Sequence, residues 1–308
     1  MAAAGAPKNP LLGAAVKVHC TAPSSGFFGA PAAANNNLYA ATLGATPHVY
    51  AVAQATGALV WQTPLPSVGS RASVAVAQDR VFVYTDQHKL YALNQGTGAI
   101  LWSATTTSGT GSQESSPAVA VALNTVYVGS DAALHAFNMA TGAVVWTYPL
   151  TSLAGFSSPV LQPASGPTPA LVLIGTNDKK LHAVNATTGA GVWVHTAGAT
   201  LAFGSVAVAQ GKVFLFDFSS VVALDVATGA VLWTQVAPQI PRHSPAIAAG
   251  VLFYSDDQTA YGLSTATGAP VWKAPIPGNG NPNSPGAELA IALEILLVPN
   301  KGHLYAFR

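Results

Sequence analysis

The residues of this chain with the most to offer chemically recur at intervals of roughly forty positions. Arg71, Glu114, Arg242 and His243 carry ionisable groups, and Phe28, Phe156, Phe203 and Asn283 stand at corresponding places. Brought together, two guanidiniums, a carboxylate, an imidazole, three rings and an amide suit a small anionic or polar ligand. Arginine offers paired donors to an anion, and aromatic rings supply the apolar wall of a pocket. Glu114 either joins such a site or neutralises Arg71 or Arg242 and leaves an inert plug. Other chemistry lacks its residues. The sequence has no Gly-x-Ser-x-Gly elbow, no P-loop and no His pair at zincin spacing. The glycine-rich run Gly278 to Asn283 precedes no helix that would cradle a phosphate. His135 and His182 occupy the slot that Tyr50, Tyr91, Tyr261 and Tyr305 fill elsewhere, so both are expected to be packed rings and not metal ligands. No catalytic residue and no metal ligand is expected.

What must position these residues is a repeat. All six tryptophans, Trp61, Trp102, Trp146, Trp193, Trp233 and Trp272, lie four residues after a Thr-Gly pair, at spacings of 41, 44, 47, 40 and 39 residues. The glycines are Gly57, Gly98, Gly142, Gly189, Gly229 and Gly268. A period near forty built of short strands indicates a propeller. Glycine allows the positive φ of a tight turn, and Asn or Thr before it bonds the local backbone. In the second unit the strands read Ala72–Ala77, Arg80–Tyr84, Lys89–Leu93 and Ala99–Trp102, alternating and β-branched. Four antiparallel strands make one blade, and no segment has helical periodicity.

Six units are complete. A seventh begins near Ser284 and runs to Arg308 without a Trp strand. The segment Ala14–Cys20 has strand character and is expected to close that blade, with residues 1–13 a leader or disordered; the alternative is that Ala14–Cys20 is itself a disordered leader and the seventh blade has three strands. The expected architecture is thus an all-β, seven-bladed propeller over 14–308. In the usual strand order the lead-ins to the first strands and the second-to-third hairpins share one face. That face gathers the eight residues named above around the channel mouth, together with Asp86, Asp131, Asp178 and Asp256. The Thr-Gly turns lie on the other.

The unit Ala-x-Asp/Asn-x-x-Thr-Gly-x-x-x-Trp resembles the tryptophan-docking repeat of PQQ-like, quinoprotein dehydrogenase-like propellers, over residues 25–308. The resemblance implies that each Trp packs against the neighbouring blade, burying about 150–250 Å². It also implies an extracytoplasmic setting. Enzymes of that family place the quinone beside a disulfide of adjacent cysteines and a calcium held by Glu, Asn and Asp. Here Cys20 is the single cysteine, and Glu114 with Asn283 does not make a calcium site. PQQ with calcium is therefore not expected, and no other cofactor is. The resemblance leaves two readings open. One is a non-enzymatic scaffold that binds a protein or peptide, as the family's outer-membrane assembly lipoprotein does. The other is a degenerate oxidoreductase that binds PQQ or another polar ligand at the channel mouth.

Composition narrows the partners. Only 7% of the 308 residues are charged and the formal net charge is +1, against about 25% charged in an average domain. Phosphate neutralisation cannot drive nucleic-acid binding here, and no basic patch draws the chain to a membrane surface. Charge is absent from Lys17 to Arg71 and from Asp131 to Asp178, yet Pro, Gly and Asn interrupt both stretches. No apolar run reaches the roughly 20 residues of a membrane-spanning helix. A monomer is expected. Asn185-Ala-Thr187 reads as a turn of the repeat and not as a glycosylation site.

Overall fold

The structure is a computed structural model. It describes residues 31–42, 47–66, 74–106, 115–152, 157–198, 206–217, 220–238, 245–256, 258–276, 290–292, 295–300 and 303–307, with side chains as far as residue 276.

Six four-stranded antiparallel sheets follow one another along the chain. The first holds β1 (Ala32–Ala34), β2 (Asn37–Ala41), β3 (His48–Ala53) and β4 (Leu59–Pro64). The second holds β5 (Ala75–Ala77), β6 (Arg80–Tyr84), β7 (Lys89–Asn94) and β8 (Ile100–Thr105). The third holds β9 (Ala118–Ala120), β10 (Thr125–Gly129), β11 (Ala133–Asn138) and β12 (Val144–Pro149). The fourth holds β13 (Val160–Gln162), β14 (Leu171–Gly175), β15 (Lys180–Asn185) and β16 (Gly191–Thr196). The fifth holds β17 (Ala207–Ala209), β18 (Lys212–Asp217), β19 (Ser220–Asp225) and β20 (Val231–Val236). The sixth holds β21 (Ala246–Ala248), β22 (Val251–Ser255), β23 (Thr259–Ser264) and β24 (Pro270–Pro275). A last sheet has three strands, β25 (Ala290–Ala292), β26 (Ile295–Asn300) and β27 (His303–Phe307).

This corrects the expectation of seven four-stranded blades closed by an N-terminal strand. Six blades are four-stranded, and among the described residues no strand pairs beside β27. The physical reason lies in the repeat. In each complete blade the fourth strand is the one that carries the Trp, and the six Thr-Gly-x-x-x-Trp segments match the six four-stranded sheets one for one. Residues 1–13 and Ala14–Cys20 lie outside the described residues.

The first strands of successive sheets lie side by side, from β1 beside β5 through to β21 beside β25. The sheets therefore fan outward from a common axis. First strands are short and built from Ala, Val and Ile, which lets neighbours approach closely. Within a blade the period of two sends alternate residues to opposite neighbours. Val81, Val83 and Tyr91 pack with Tyr39 and Val49 of blade one, whereas Phe82, Tyr84 and Leu90 pack with Val126 and Phe137 of blade three. The core is thus a series of layers between blades.

The repeated motif builds the joints between those layers. Asn94 Oδ1 accepts from the N–H groups of Gly96 and Thr97 at 3.0 and 2.9 Å, and Gly98 donates to the Asn94 carbonyl at 2.8 Å. Asp225 does the same with Ala227 and Thr228 at 3.1 and 2.9 Å. The ladder then shifts by one residue, which places Trp102 directly opposite Ala92. Ala51, Ala136, Ala183 and Ala223 stand opposite the other tryptophans, and Gly262 opposite Trp272. A small residue is needed there because the indole leaves its own blade. Its Nε1 donates to a carbonyl of the next: Trp61 to Gln95 at 2.9 Å, Trp102 to Met139 at 3.2 Å, Trp146 to Ala186 at 3.0 Å. Trp193 reaches Val226 at 2.9 Å and Trp233 reaches Thr265 at 3.3 Å. Each ring also lies under the next blade's turn glycine. A Cβ on Gly142, whose φ is +74°, would sit 2.6 Å from Trp102 Cε3.

Candidate functional site

The eight residues assigned to the channel mouth, Phe28, Arg71, Glu114, Phe156, Phe203, Arg242, His243 and Asn283, all lie outside the described residues. The serines beside two of them are described, and they are structural. Ser115 Oγ accepts the Gly129 N–H at 3.2 Å, and Ser157 Oγ accepts that of Gly175 at 3.0 Å. Ser158 Oγ accepts the Ser116 N–H of the preceding blade at 2.9 Å. In the lead-ins of blades three and four, serine thus ties the first strand to its second and the two blades to each other.

The hairpin carboxylates behave as turn formers. Asp256 Oδ1 accepts from the N–H groups of Gln258 and Thr259, each at 2.7 Å, and its Oδ2 accepts from the Tyr261 hydroxyl at 2.9 Å. Asp178 is a tie between blades. Its Oδ2 accepts from Thr151 of blade three at 2.7 Å and from Lys180 at 2.8 Å, and its Oδ1 from Thr176 at 2.5 Å. Those donors outweigh its desolvation and hold its carboxyl well below the usual carboxylate range.

His135 and His182 fill the tyrosine slot, as expected. Both are 3% exposed. His135 Nε2 meets Ser130 Oγ at 3.0 Å and its ring stacks on Phe137. Burial pushes its pKa down to about 4. His182 packs edge-on against Tyr148 of blade three, and burial lowers its pKa too, against the opposing pull of Asp178. Both imidazoles are neutral at pH 7. Among the described residues no cluster of His, Cys, Asp or Glu could hold a metal ion.

The fold family raises the question of a quinone on the axis. The described first strands offer Ala, Val, Ile and Leu there, with Gln162 as their one polar side chain. A single cysteine cannot form the disulfide of adjacent cysteines that the resemblance implies. These residues do not fit the group.

A different surface stands out, and the sequence reading missed it. Of the thirteen large hydrophobic side chains exposed among the described residues, all but Val121 lie on the fourth strands. They come mainly as pairs just before the Trp: Leu59 with Val60, Ile100 with Leu101, Val144 with Val145, Val231 with Leu232. Val192, Val194, Val236 and Val271 complete them, and Val236 is 68% exposed. In every complete blade the fourth strand is at the sheet edge, so an aliphatic belt runs around the outer rim. The signal was present in the aliphatic residue before each Trp, doubled in four of the six units. It was hidden because the same letters describe a buried strand, and only strand order shows them to be outermost.

A family model described as outer membrane protein assembly factor BamB matches residues 15–160, 45–274 and 177–308. The crystal structure of BamB from Moraxella catarrhalis superposes with a TM-score of 0.70 at 22% identity, covering 89% of this chain and 82% of that one. Quinohemoprotein alcohol dehydrogenase from Comamonas testosteroni gives 0.71 at 13% identity, covering 87% and 62%. A quinohemoprotein alcohol dehydrogenase from Pseudomonas putida gives 0.65 at 12%, covering 87% and 61%. The chain thus spans about three fifths of the length of those two dehydrogenases. No curated protein matches it significantly. Among the described residues no helix is long and apolar enough to cross a membrane.

Proposed function

The chain belongs to the PQQ-like β-propeller family described as outer membrane protein assembly factor BamB, and from that membership we propose that it is a non-enzymatic scaffold that binds a protein or peptide outside the cytoplasm. The observation that carries the proposal is the aliphatic belt on the outermost strands. Exposed apolar surface gathered on one structural element marks an interaction site, whereas scattered hydrophobics do not. The scarcity of charge strengthens this reading, because a 7% charged chain has little else with which to select a partner.

The opposing reading is an oxidoreductase with a quinone at the channel mouth, and it is separable in one experiment. PQQ and calcium are added to the protein, and thermal stability and dye reduction are followed. The scaffold reading expects neither a shift nor turnover. A stoichiometric PQQ-dependent shift with turnover would overturn it. The mouth residues Arg71, Glu114, Arg242 and His243 are the first to replace by Ala if turnover appears.

A further inference from the structure

The fourth strands share their inward backbone bonds and differ in the residues whose backbone groups turn outward. The residue four past the Trp donates its N–H inward: Leu65 to Pro47, Thr106 to His88, Leu150 to Ala132, Ala197 to Lys179, and Ile276 to Gln258, all within 2.7–2.9 Å. Backbone groups alternate sides along an antiparallel strand. The residues one and three past the Trp therefore turn their N–H and C=O outward, away from the sheet. Three past, the blades read Pro64, Thr105, Pro149, Thr196, Val236 and Pro275. One past, they read Gln62, Ser103, Thr147, Val194, Thr234 and Lys273.

Proline has no N–H, and proline or lysine on an edge strand prevents another strand from adding to it. Blades one, three and six are thus blunted at the outward donor itself, and blade six carries Lys273 and Pro270 besides. Blade two keeps its donors but shows two hydroxyls, Ser103 and Thr105. Blades four and five are adjacent, keep both donors, and pair each outward threonine with an exposed valine. Val194 is 48% exposed and Val236 is 68% exposed. Neither β16 nor β20 contains a charged residue or a proline.

We propose that the open edges of β16 and β20 take up an added strand from a partner, an extended, uncharged peptide segment rich in β-branched residues and about six residues long. The inference rests on the scaffold reading and names its surface and its class of partner. Main-chain bonds to the outward groups of Val194, Thr196, Thr234 and Val236 would give affinity, and the alternating side chains would give selectivity. Gln235 Nε2 now donates to the Val236 carbonyl at 3.2 Å, a bond that an incoming N–H replaces. Charge argues for the segment's composition, since an ion laid along either edge would find no opposite partner in the strand. Area argues against a second copy of this chain. β20 exposes three aliphatic side chains, Val231, Leu232 and Val236, too few for two such edges to reach the roughly 1,000 Å² of a stable interface. A peptide can fold its side chains over both faces of the edge and is not held to that limit.

The test uses the whole chain and a fluorescein-labelled peptide of alternating threonine and valine, titrated by anisotropy. Its match N-methylated at alternate residues lacks the donors. Saturable binding of the first and none of the second are expected. The variant Thr196→Pro/Val236→Pro gives blades four and five the proline that blades one, three and six already carry, so it is expected to fold with an unchanged melting temperature and to bind at least tenfold more weakly. If it does melt early, Val194→Lys/Thr234→Lys closes the same edges without touching the backbone and should weaken binding equally. No saturable binding to the parent chain overturns the proposal. Equal binding by the closed-edge variants overturns the edge assignment and leaves the scaffold reading standing. Self-association of the parent chain, abolished by the prolines and without peptide binding, makes the occupant a second copy and refutes the peptide. PQQ-dependent turnover refutes the scaffold reading whatever the edges do.

Discussion

Gly142→Ala is the sharpest test of how the blades are joined. Two costs combine at that position. The residue has φ +74°, and an alanine in the left-handed region costs about 1 kcal/mol. The new Cβ would also stand 2.6 Å from Trp102 Cε3 and 2.7 Å from Cδ2. The ring cannot simply swing away, because Trp102 Nε1 is tied to the Met139 carbonyl at 3.2 Å and the indole packs on Phe82 at 6.0 Å. Overpacking of this kind costs about 1–3 kcal/mol, and loss of the indole bond about 1 kcal/mol more. The whole effect is therefore about 3–5 kcal/mol, read by urea unfolding. Gly211 supplies the control. Its φ is +71° and nothing lies within 4 Å of its virtual Cβ, so Gly211→Ala should show the conformational cost alone, about 1 kcal/mol. In a Trp102→Ala background Gly142→Ala should fall to that same small value, since the clash is gone and only the backbone cost remains. Equal losses for Gly142→Ala and Gly211→Ala, or no coupling to Trp102, would refute the docking role of the turn glycine.

Trp146→Ala should destabilise by about 3 kcal/mol, because it empties the joint between blades three and four and leaves the Ala186 carbonyl without its indole donor; a loss under 1 kcal/mol in the same urea assay would count against it. Acid should weaken the fold through His135. Its native pKa is depressed to about 4 from about 6.5 in the unfolded chain, so its contribution is complete above pH 6.5 and is lost as pH falls toward 4. That loss is about 3 kcal/mol, and His135→Tyr, the residue of the equivalent slot in other blades, should flatten that part of the pH–stability curve. Asp178→Ala should cost at most about 1 kcal/mol, because its pair with Lys180 is part-exposed. Its carboxyl is held below the usual carboxylate range, so its share is present above about pH 4 and lost as acid protonates it; urea unfolding in the range pH 2–5 checks this.

The blades were legible because one period carries several constraints at once. Thr-Gly demanded a tight turn, and the aliphatic and aromatic alternation demanded strands. The structure adds reasons that periodicity alone does not contain. Gly142 is needed as much for the Trp102 ring beneath it as for its φ, and Ala136 is small because Trp146 stands opposite. Asn94 and Asp225 are interchangeable because the turn needs only an acceptor oxygen. The count went wrong at the last blade, where His303–Phe307 reads as a third strand and no Trp segment follows; a strand-like stretch at Ala14–Cys20 is too short a pattern to assign a pairing partner. The eight residues assigned to the channel mouth lie outside the described residues. Charged residues draw attention, and two of the hairpin carboxylates, Asp178 and Asp256, hold a joint and a turn. The aliphatic rim drew none, because a valine is equally at home inside a sheet and at its edge, and hydropathy cannot tell the two apart.

A repeat under this much internal constraint has few positions left for function. The Trp, its opposing alanine, the turn glycine and the turn acceptor are each tied to a neighbouring blade, so a change at one is felt by two. The outward residues one and three past the Trp carry none of these ties. They range from Lys273 and Pro275 to Val194 and Thr196. Drift alone would scatter proline among the outward positions. Instead it stands at the same outward donor in blades one, three and six and is missing from blades two, four and five, of which four and five are adjacent. Two neighbouring edges are thus left open, uncharged and lined with valine. Strand addition is the use that matches their chemistry, and it makes one consequence specific: a proline at Val236 should be silent for stability and should not be silent for binding.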